Sequence, residues 1–364
     1  MDFYLISNMY PTQEYPGYGS FVKNVCDELS KLGIKKKYSS VIRGRSRTKL
    51  DKLWKYVKFY SSIVINYCKS YDFIYIHFPN HAAPILYPLL SLKRKNLIIN
   101  LHGEDLLYSK MGYGSRLGKV MEKMARKYAS AIVVPSEYFK EIVIQRKIVD
   151  SNRIIISPSG GINHEIFFPK PFTETDQTRL HIGYVGRMEK DKGIIEFLYT
   201  CYQLNKLGIK YKATAIGYGS SYEWAKGFIL DNNLTAVELI SGLSQNQLGE
   251  YYRQFDLLIF MSSRRSESLG LTGIEALACG TPVIGSKIGG IATYIQSDYN
   301  GWLVNVGDVN GVVEKILNFR ALSTIEKKYI YQNAIITGQK YYSSKVCQKL
   351  CSDLWSIVGD KICE

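Results

Sequence analysis

Short, almost wholly apolar runs recur along this chain, each followed by a longer amphipathic stretch. In the first half the runs are FYLIS (3–7), FIYIHF (73–78), NLIINLH (96–102), AIVVPS (131–136) and RIIIS (153–157). Helical patterns lie between them, near 20–32, 49–69, 116–129 and 137–147. The rhythm returns in LHIGYVG (180–186), YKATAIG (211–217), AVELIS (236–241), DLLIFM (256–261) and TPVIGS (281–286). A strand covered on both faces has no polar side to alternate. Such runs therefore predict parallel sheets sandwiched between helices. Two series within 364 residues predict an α/β chain of two doubly wound, Rossmann-like domains. EIFFPKPFTETDQTRL (165–180) holds two prolines and a polar run, as a linker does. The expected domains are 1–166 and 175–340, and the pattern after about 305 is mostly helical. A terminal helix over about 341–364 is expected to return and pack on the first domain.

Open parallel sheets take ligands at the C-terminal ends of their strands, and two such sheets facing each other make a cleft. Residues just after strands are therefore the informative ones. The strongest signal is MSSRRSESLGLTGIEALACGTPVIGSKIGG (261–290). A strand leads into a loop with Glu267, Gly270 precedes a helix that carries Glu275, and Gly280 and Pro282 stop that helix. A helix start after such a loop offers free N–H groups, here near Leu271 and Thr272, and a positive dipole end that can hold a phosphate. Glu275 stands among Leu271, Ile274, Ala276 and Leu277, where a carboxylate is costly without partners. A ribose diol would satisfy it; so would solvent, if that face is open. Arg187 follows another strand in YVGRMEKDKG (184–193), and Lys192 precedes Gly193. Two such cations at a cleft mouth can neutralise a diphosphate leaving group.

Seven cysteines without a C-x-x-C pair point to reduced thiols and a cytoplasmic protein. The opening MDFYLISNMYPTQ has no basic start before a long apolar run, so no secretory signal is expected. No run is long enough for a membrane span. No D-x-D occurs, and no metal or other cofactor is expected. His77 and His81 sit on a strand and a Pro-interrupted loop, without further ligands around them. There is no Walker loop and no serine nucleophile elbow.

Positive charge is local. Residues 31–58 hold eleven cations against Asp51 alone, ten of the chain's net fifteen charges. They include Lys35, Lys36, Lys37, Arg43, Arg45, Arg47, Lys49, Lys52 and Lys55. From 49 onward a helix would gather Leu50, Leu53, Trp54, Val57, Tyr60 and Val64 on one face and the lysines on another. The apolar side is expected to pack on the sheet. The basic side and the preceding basic loop are expected to meet an anionic membrane surface. Nucleic acid is not the expected partner, because no nucleic-acid fold pattern accompanies the charge.

The 261–290 stretch resembles the E-x7-E signature of GT-B glycosyltransferases of the family 4 type. It keeps Glu267, Gly270, Glu275, Ala276, Ala278, Gly280, Pro282 and Val283, with Ser268 where Gly is usual. YVGRMEKDKG is similar to the family's V-G-R…K-G, and GYGS (217–220) to its G-x-G turn at Gly217. YPGYGSFVKNVCDELSKLG (15–33) resembles the first loop and helix, with Gly19 beside the donor phosphate. NLHGED (100–105) resembles the H-x-x-D element, in which His102 meets the transferred sugar. Asp105 would orient that imidazole, bind a sugar hydroxyl or cap the next helix. SPSGGINHEIFFP (157–169) and GGIATYI (289–295) are similar to two further elements, with Asn163 and Thr293 where the family carries acids.

The resemblance implies a retaining, metal-independent hexosyltransferase of the GT-B fold. A sugar would pass from a UDP or GDP donor to a saccharide hydroxyl, in capsule or O-antigen assembly. Glu275 would take the ribose, and Arg187, Lys192 and the N–H groups near Leu271 and Thr272 the diphosphate. Glu267 and His102 would hold the sugar across the cleft. A basic domain in a cytoplasmic chain suggests a lipid-pyrophosphate-linked acceptor and a peripheral place on the inner membrane face. Two alternatives stand beside this reading: a GT-B sugar-nucleotide 2-epimerase, and a non-catalytic GT-B subunit that binds a glycan or a partner.

Overall fold

The structure is a computed structural model and describes residues 1–15, 17–107, 113–172 and 179–359. Cys363, part of the proline-rich stretch (173–178) and the end of the expected terminal helix lie outside the described residues. The chain divides into two units: Met1–Gly161 with Ser343–Glu364, and Ile162–Tyr342. The division thus falls a few residues before the proline-rich stretch. Residues 166–168 belong to the second unit because Arg253 Nη1 donates to the Ile166 and Phe168 carbonyls at 2.9 and 3.3 Å.

The first unit contains β1 (Asp2–Tyr10), α1 (Ser20–Lys31), β2 (Lys35–Arg43), α2 (Lys49–Tyr67), β3 (Phe73–His77), α3 (Ala83–Leu92), β4 (Leu97–Asn100), α4 (Tyr113–Tyr128), β5 (Ala129–Val134), α5 (Glu137–Gln145) and β6 (Ile154–Ile156). All its strands are parallel, in the order β2-β1-β3-β4-β5-β6. Side chains alternate across the sheet with period two. Tyr4, Ile6, Ile74, Ile76, Ile99 and Ile132 face the core under α2, α3 and α4. Phe3, Leu5, Phe73, Tyr75, Ile98 and Val133 face α1 and the returning helix.

The second unit contains β7 (Leu180–Val185), α6 (Ile194–Lys206), β8 (Tyr211–Ile216), α7 (Tyr222–Asp231), β9 (Val237–Ile240), α8 (Gln245–Tyr252), β10 (Leu257–Phe260), α9 (Leu271–Ala278), β11 (Val283–Ser286), β12 (Gly301–Val304), α10 (Val309–Ala321) and α11 (Thr324–Gln339). Its parallel sheet runs β12-β11-β10-β7-β8-β9, the doubly wound dinucleotide-type order. α12 (Ser343–Leu354) then returns to the first unit, where Leu350 and Leu354 join the core beside Val22 and Leu29 of α1.

Three sequence expectations change. Lys35, Lys36 and Lys37, expected in a basic loop, lie on edge strand β2. Lysines along an edge discourage pairing with another sheet. Each sheet has one strand beyond the five apolar runs of its half: β2 in the first unit, and β12, beside the helical tail, in the second. Finally, of the six apolar residues expected to pack on the sheet, Tyr60 packs against the core, but Leu50, Leu53, Trp54, Val57 and Val64 are exposed, and Phe59, Ile63, Asn66 and Tyr67 form the buried face of α2. No described helix is long and apolar enough to cross a membrane.

Gly19 caps α1 with a left-handed backbone at φ 73°. A Cβ there would stand 2.7 Å from the carbonyl carbon and oxygen of Met9. Gly19→Ala is therefore expected to destabilise the first unit by about 2 kcal/mol or more, from backbone strain plus the clash. Thermal melting should report this as a fall of roughly 4–8 °C. An unchanged melting temperature would contradict the close approach.

Candidate active site

A doubly wound sheet opens a crevice where its strand order reverses, beyond the C-terminal strand ends. In the second unit that point lies between β7 and β10. The segments leaving these two strands meet there. Lys192 Nζ donates to Glu267 Oε2 at 2.7 Å, and Ser262 Oγ donates to the same oxygen at 2.8 Å. The two charged side chains are 17% and 12% exposed, so this pair is well shielded from water. Arg264 joins the loops a second time, through Nε to Asp191 Oδ2 at 2.5 Å and Nη2 to Glu189 Oε2 at 2.6 Å. Arg187 bonds Glu189 Oε1 at 3.0 Å and keeps most of its side chain in solvent. Both cations expected to face a diphosphate are thus already paired with carboxylates, and the shielded Lys192 is the one held in place.

Glu267 leads directly into α9. Gly270 caps that helix at φ 75°, and the Gly290 N–H closes the loop onto the Glu267 carbonyl at 3.0 Å. The first turn of a helix leaves its N–H groups without intrahelical partners, and here these belong to Leu271 and Thr272. One turn further, Glu275 Oε2 accepts a hydrogen bond from the Tyr252 hydroxyl at 2.9 Å. Burial pushes the Glu275 carboxyl up to about 7, with the Tyr252 hydroxyl acting the other way. Gly217 sits where a side chain would strike the Gly186 carbonyl, so packing between the ends of β7 and β8 already requires a glycine there. A cavity of about 530 Å³ bounded by Lys170, His181 and Arg253 lies at the opposite, N-terminal edge of this sheet, away from the Glu267 cluster.

In the first unit the order reverses between β1 and β3. β3 ends at His77 and β4 leads to His102, and the two imidazoles meet: His77 Nδ1 lies 3.0 Å from His102 Nε2, with rings stacked at 5.2 Å. Phe21 of α1 and Phe78 pack on His102 at 4.8 and 4.4 Å. Burial lowers the His102 pKa to about 3, and burial with the neighbouring His102 lowers that of His77. Both rings are therefore neutral, and across this contact one donates and the other accepts. Asp105 does not reach the imidazole. Its Oδ2 accepts the His102 backbone N–H at 2.9 Å, and burial pushes its carboxyl up to about 7. Of the three roles expected of Asp105, orienting the imidazole does not fit: the ring's hydrogen-bond partner is His77, and Asp105 holds the turn through the His102 backbone N–H.

The basic residues are less uniform than their sequence suggests. Arg47 pairs with Glu14, Lys37 with Asp2 and Lys55 with Asp51. Lys36 bonds the Tyr10 hydroxyl at 3.1 Å, and the Arg43 guanidinium sits over the Tyr10 ring. Glu14 and Asp2 lie outside the basic segment, and the fold brings them to it.

Four residues of these clusters were not legible as such. Ser262 and Arg264 lie inside the E-x7-E stretch, in the loop after β10, and that position was the available signal. His77 ends an apolar strand, as His102 does. Nothing in the sequence links Tyr252 to Glu275.

Residues 167–335 match the family model for glycosyl transferases group 1. An uncharacterized glycosyltransferase of Methanocaldococcus jannaschii is 29% identical over 257 residues, 67% of each chain. A capsular polysaccharide biosynthesis glycosyltransferase of Staphylococcus aureus is 29% identical over 209 residues, 54% of each chain. These alignments thus span from half to two thirds of the relatives' lengths. Among solved structures, the Anabaena protein HepE in complex with UDP superposes with a TM-score of 0.75 at 17% identity, covering 98% of this chain and all of that one. Two parallel sheets of this order and that likeness define the class: the fold is GT-B, built of two Rossmann-like domains. More particularly, the match to glycosyl transferases group 1 falls within the second unit, and the chain is similar to glycosyltransferases of that kind.

Proposed function

We propose that this chain is a retaining glycosyltransferase of the family 4 type. It moves a sugar from a nucleoside-diphosphate donor to a hydroxyl of a saccharide acceptor in surface polysaccharide assembly. The observation that carries the reading is the Lys192–Glu267–Ser262 cluster at the β7/β10 reversal, with Glu275 one helical turn beyond the start of α9. Glu275 takes the ribose hydroxyls and Tyr252 holds its carboxylate in place. Arg187, Lys192 and the N–H groups of Leu271 and Thr272 take the diphosphate. Gly19 and Gly217 keep the backbone close at the strand ends. Glu267 and His102 contact the transferred sugar, and neutral His102 offers a hydrogen bond rather than a charge.

The leaving phosphate oxygen accepts the acceptor's proton on the face from which it departs, so no protein nucleophile is needed. The protein's contribution is position and charge. Lys192 and Arg187 supply the charge, and the reaction needs no metal. Relatives support the pathway class: one belongs to capsule biosynthesis, and another is a lipopolysaccharide 1,2-N-acetylglucosaminetransferase of Salmonella typhimurium. HepE was solved with UDP and with UDP-glucose, which favours a uridine donor. The acceptor is lipid-linked, and the basic first unit meets an anionic membrane surface on the cytoplasmic side.

The test is thermal melting against UDP, GDP and their common sugars, with and without EDTA. At a hundred times its dissociation constant, a ligand adds about 2.7 kcal/mol of stability. The expected result is a rise with one nucleotide that EDTA leaves intact and Glu275→Ala removes. No rise with any nucleotide would refute the donor site, and a rise lost in EDTA would refute the metal-free reaction.

A further inference from the structure

Helix α2 has two apolar faces, and the fold uses one of them. Phe59, Ile63 and Tyr67 enter the core of the first unit, so these positions satisfy the helix's need for burial. The opposite stripe, at 100° per residue, contains Leu50, Leu53, Trp54, Val57, Ser61, Val64 and Ile65. Six of these seven are large and apolar, and those six are between 44% and 78% exposed. A helix whose inner face is already packed ordinarily turns a polar face outward. An apolar stripe four turns long, interrupted at Ser61 alone, marks an interaction surface instead.

The cations around the stripe say what covers it. Lys49 borders it on one side and Lys58 on the other, with the Lys58 ammonium 5.3 Å above the Trp54 ring. Lys52 and Lys55 follow further round, and the turn before the helix adds Arg45 and Arg47. A second copy docked stripe to stripe by a two-fold axis would set these lysines against themselves. An anionic bilayer offers acyl chains to the stripe and phosphates to its rim. A helix of 19 residues, about 28 Å long, lies flat in that interface and does not span it.

We propose that the outward stripe of α2, centred on Leu50, Leu53, Trp54 and Val57, inserts into the interface of an anionic membrane, with Lys49 and Lys58 on the lipid phosphates. This deepens the membrane contact proposed above: it names the apolar face, which the sequence assigned to the core, as the inserting one. Two independent forces are implied. Salt screens the contribution of the rim and leaves that of the stripe.

The experiment sediments the full chain with vesicles of equal parts phosphatidylglycerol and phosphatidylcholine, and with phosphatidylcholine alone. The protein is expected to pellet with the anionic vesicles, and its tryptophan emission to move to shorter wavelength, a shift that Trp54→Phe removes. The triple variant Leu50→Ser, Leu53→Ser, Trp54→Ser is expected to bind roughly a hundredfold more weakly, at any salt. Lys49→Gln with Lys58→Gln should weaken binding roughly thirtyfold at low salt and little at high salt. All these positions are exposed, so melting temperatures should match the wild type, and a nucleotide-induced rise should persist in every variant. Wild-type partitioning retained by the serine variant would overturn the inserting stripe. So would self-association of the wild type that the serine substitutions abolish, since a second copy would then be the occupant. Failure of the donor reading would appear separately, as the absence of any nucleotide-induced rise in wild type that still binds vesicles.

Discussion

Lys192→Met is expected to lower kcat/KM for sugar transfer by about 10²–10³-fold, the range for removing one preorganised charge contact from a developing anion. The side chain is placed for such a contact by its own ion pair: Glu267 accepts from it at 2.7 Å, and both groups are largely shielded from water. In that setting a full charge acts through less solvent than it would on a surface. Met preserves the length and packing of the side chain while removing the charge. Lys192→Arg keeps the charge in a different shape and should retain intermediate activity. Glu267→Gln probes the other partner. A Gln oxygen can still accept from Ser262 but no longer pairs with a cation, so the ammonium loses its anchor. The check is steady-state kinetics with the donor identified by melting, alongside the melting temperature of each variant. Loss of activity with a melting temperature within a few degrees of the wild type assigns Lys192 to the chemistry. Activity within threefold of the wild type would remove it from the diphosphate site.

Glu275 should make both stability and nucleotide affinity depend on pH, with opposite signs. Burial raises its pKa from 4.5 to about 7 in the folded chain. Between these values the folded state binds more proton than the unfolded one, so stability falls as pH rises through that window. Two and a half units correspond to an upper limit of about 3 kcal/mol from this group. Asp105, likewise raised to about 7 by burial, contributes in the same direction. Glu275→Gln separates the two: its stability should decline less between pH 4.5 and 7 than that of the wild type, measured by chemical denaturation at each pH. Nucleotide binding runs the other way. Ribose hydroxyls donate to an ionised carboxylate, so affinity should rise with pH, by about tenfold per unit well below pH 7, and level off above it. The ligand of choice is a nucleotide-sugar, whose diphosphate does not titrate in this range. Affinity that is flat from pH 5 to 8, or a slope that persists in Glu275→Gln, would disconnect Glu275 from the ribose.

Much of this was legible from one strand to the next. Ile74, Ile76, Ile99 and Ile132 announce a sheet buried on both faces, because no residue between them provides a polar side. Gly270, Gly280 and Pro282 bracket α9 by backbone rules that act within a few residues. Lys192 and Glu267 were legible as neighbours of one sheet edge, since each follows a strand and parallel strands deliver their ends to one edge; their ion pair was not. Other features depended on distant partners. His77 is one more strand-end histidine until the β3–β4 register sets it beside His102. Tyr252 closes α8 with no local sign that it will meet Glu275, 23 residues on.

Helix α2 shows the limit most plainly. Its sequence displays an apolar stripe, and periodicity alone assigns that stripe to the core. In the fold a different set, Phe59, Ile63 and Tyr67, reaches the sheet, and the stripe faces outward. Periodicity states which residues share a face, because 3.6 residues per turn is a property of the backbone. It does not state which way the face turns, because that is decided by the strands and helices against which it competes to pack. The sequence by itself therefore determined the two doubly wound sheets, the ends of α9 and the strand-end placement of Glu267, Arg187, Lys192 and His102. Only the tertiary structure decided which carboxylate holds which cation, which histidines meet, and which side of α2 is left to solvent, since each is a contact between residues that no local rule connects.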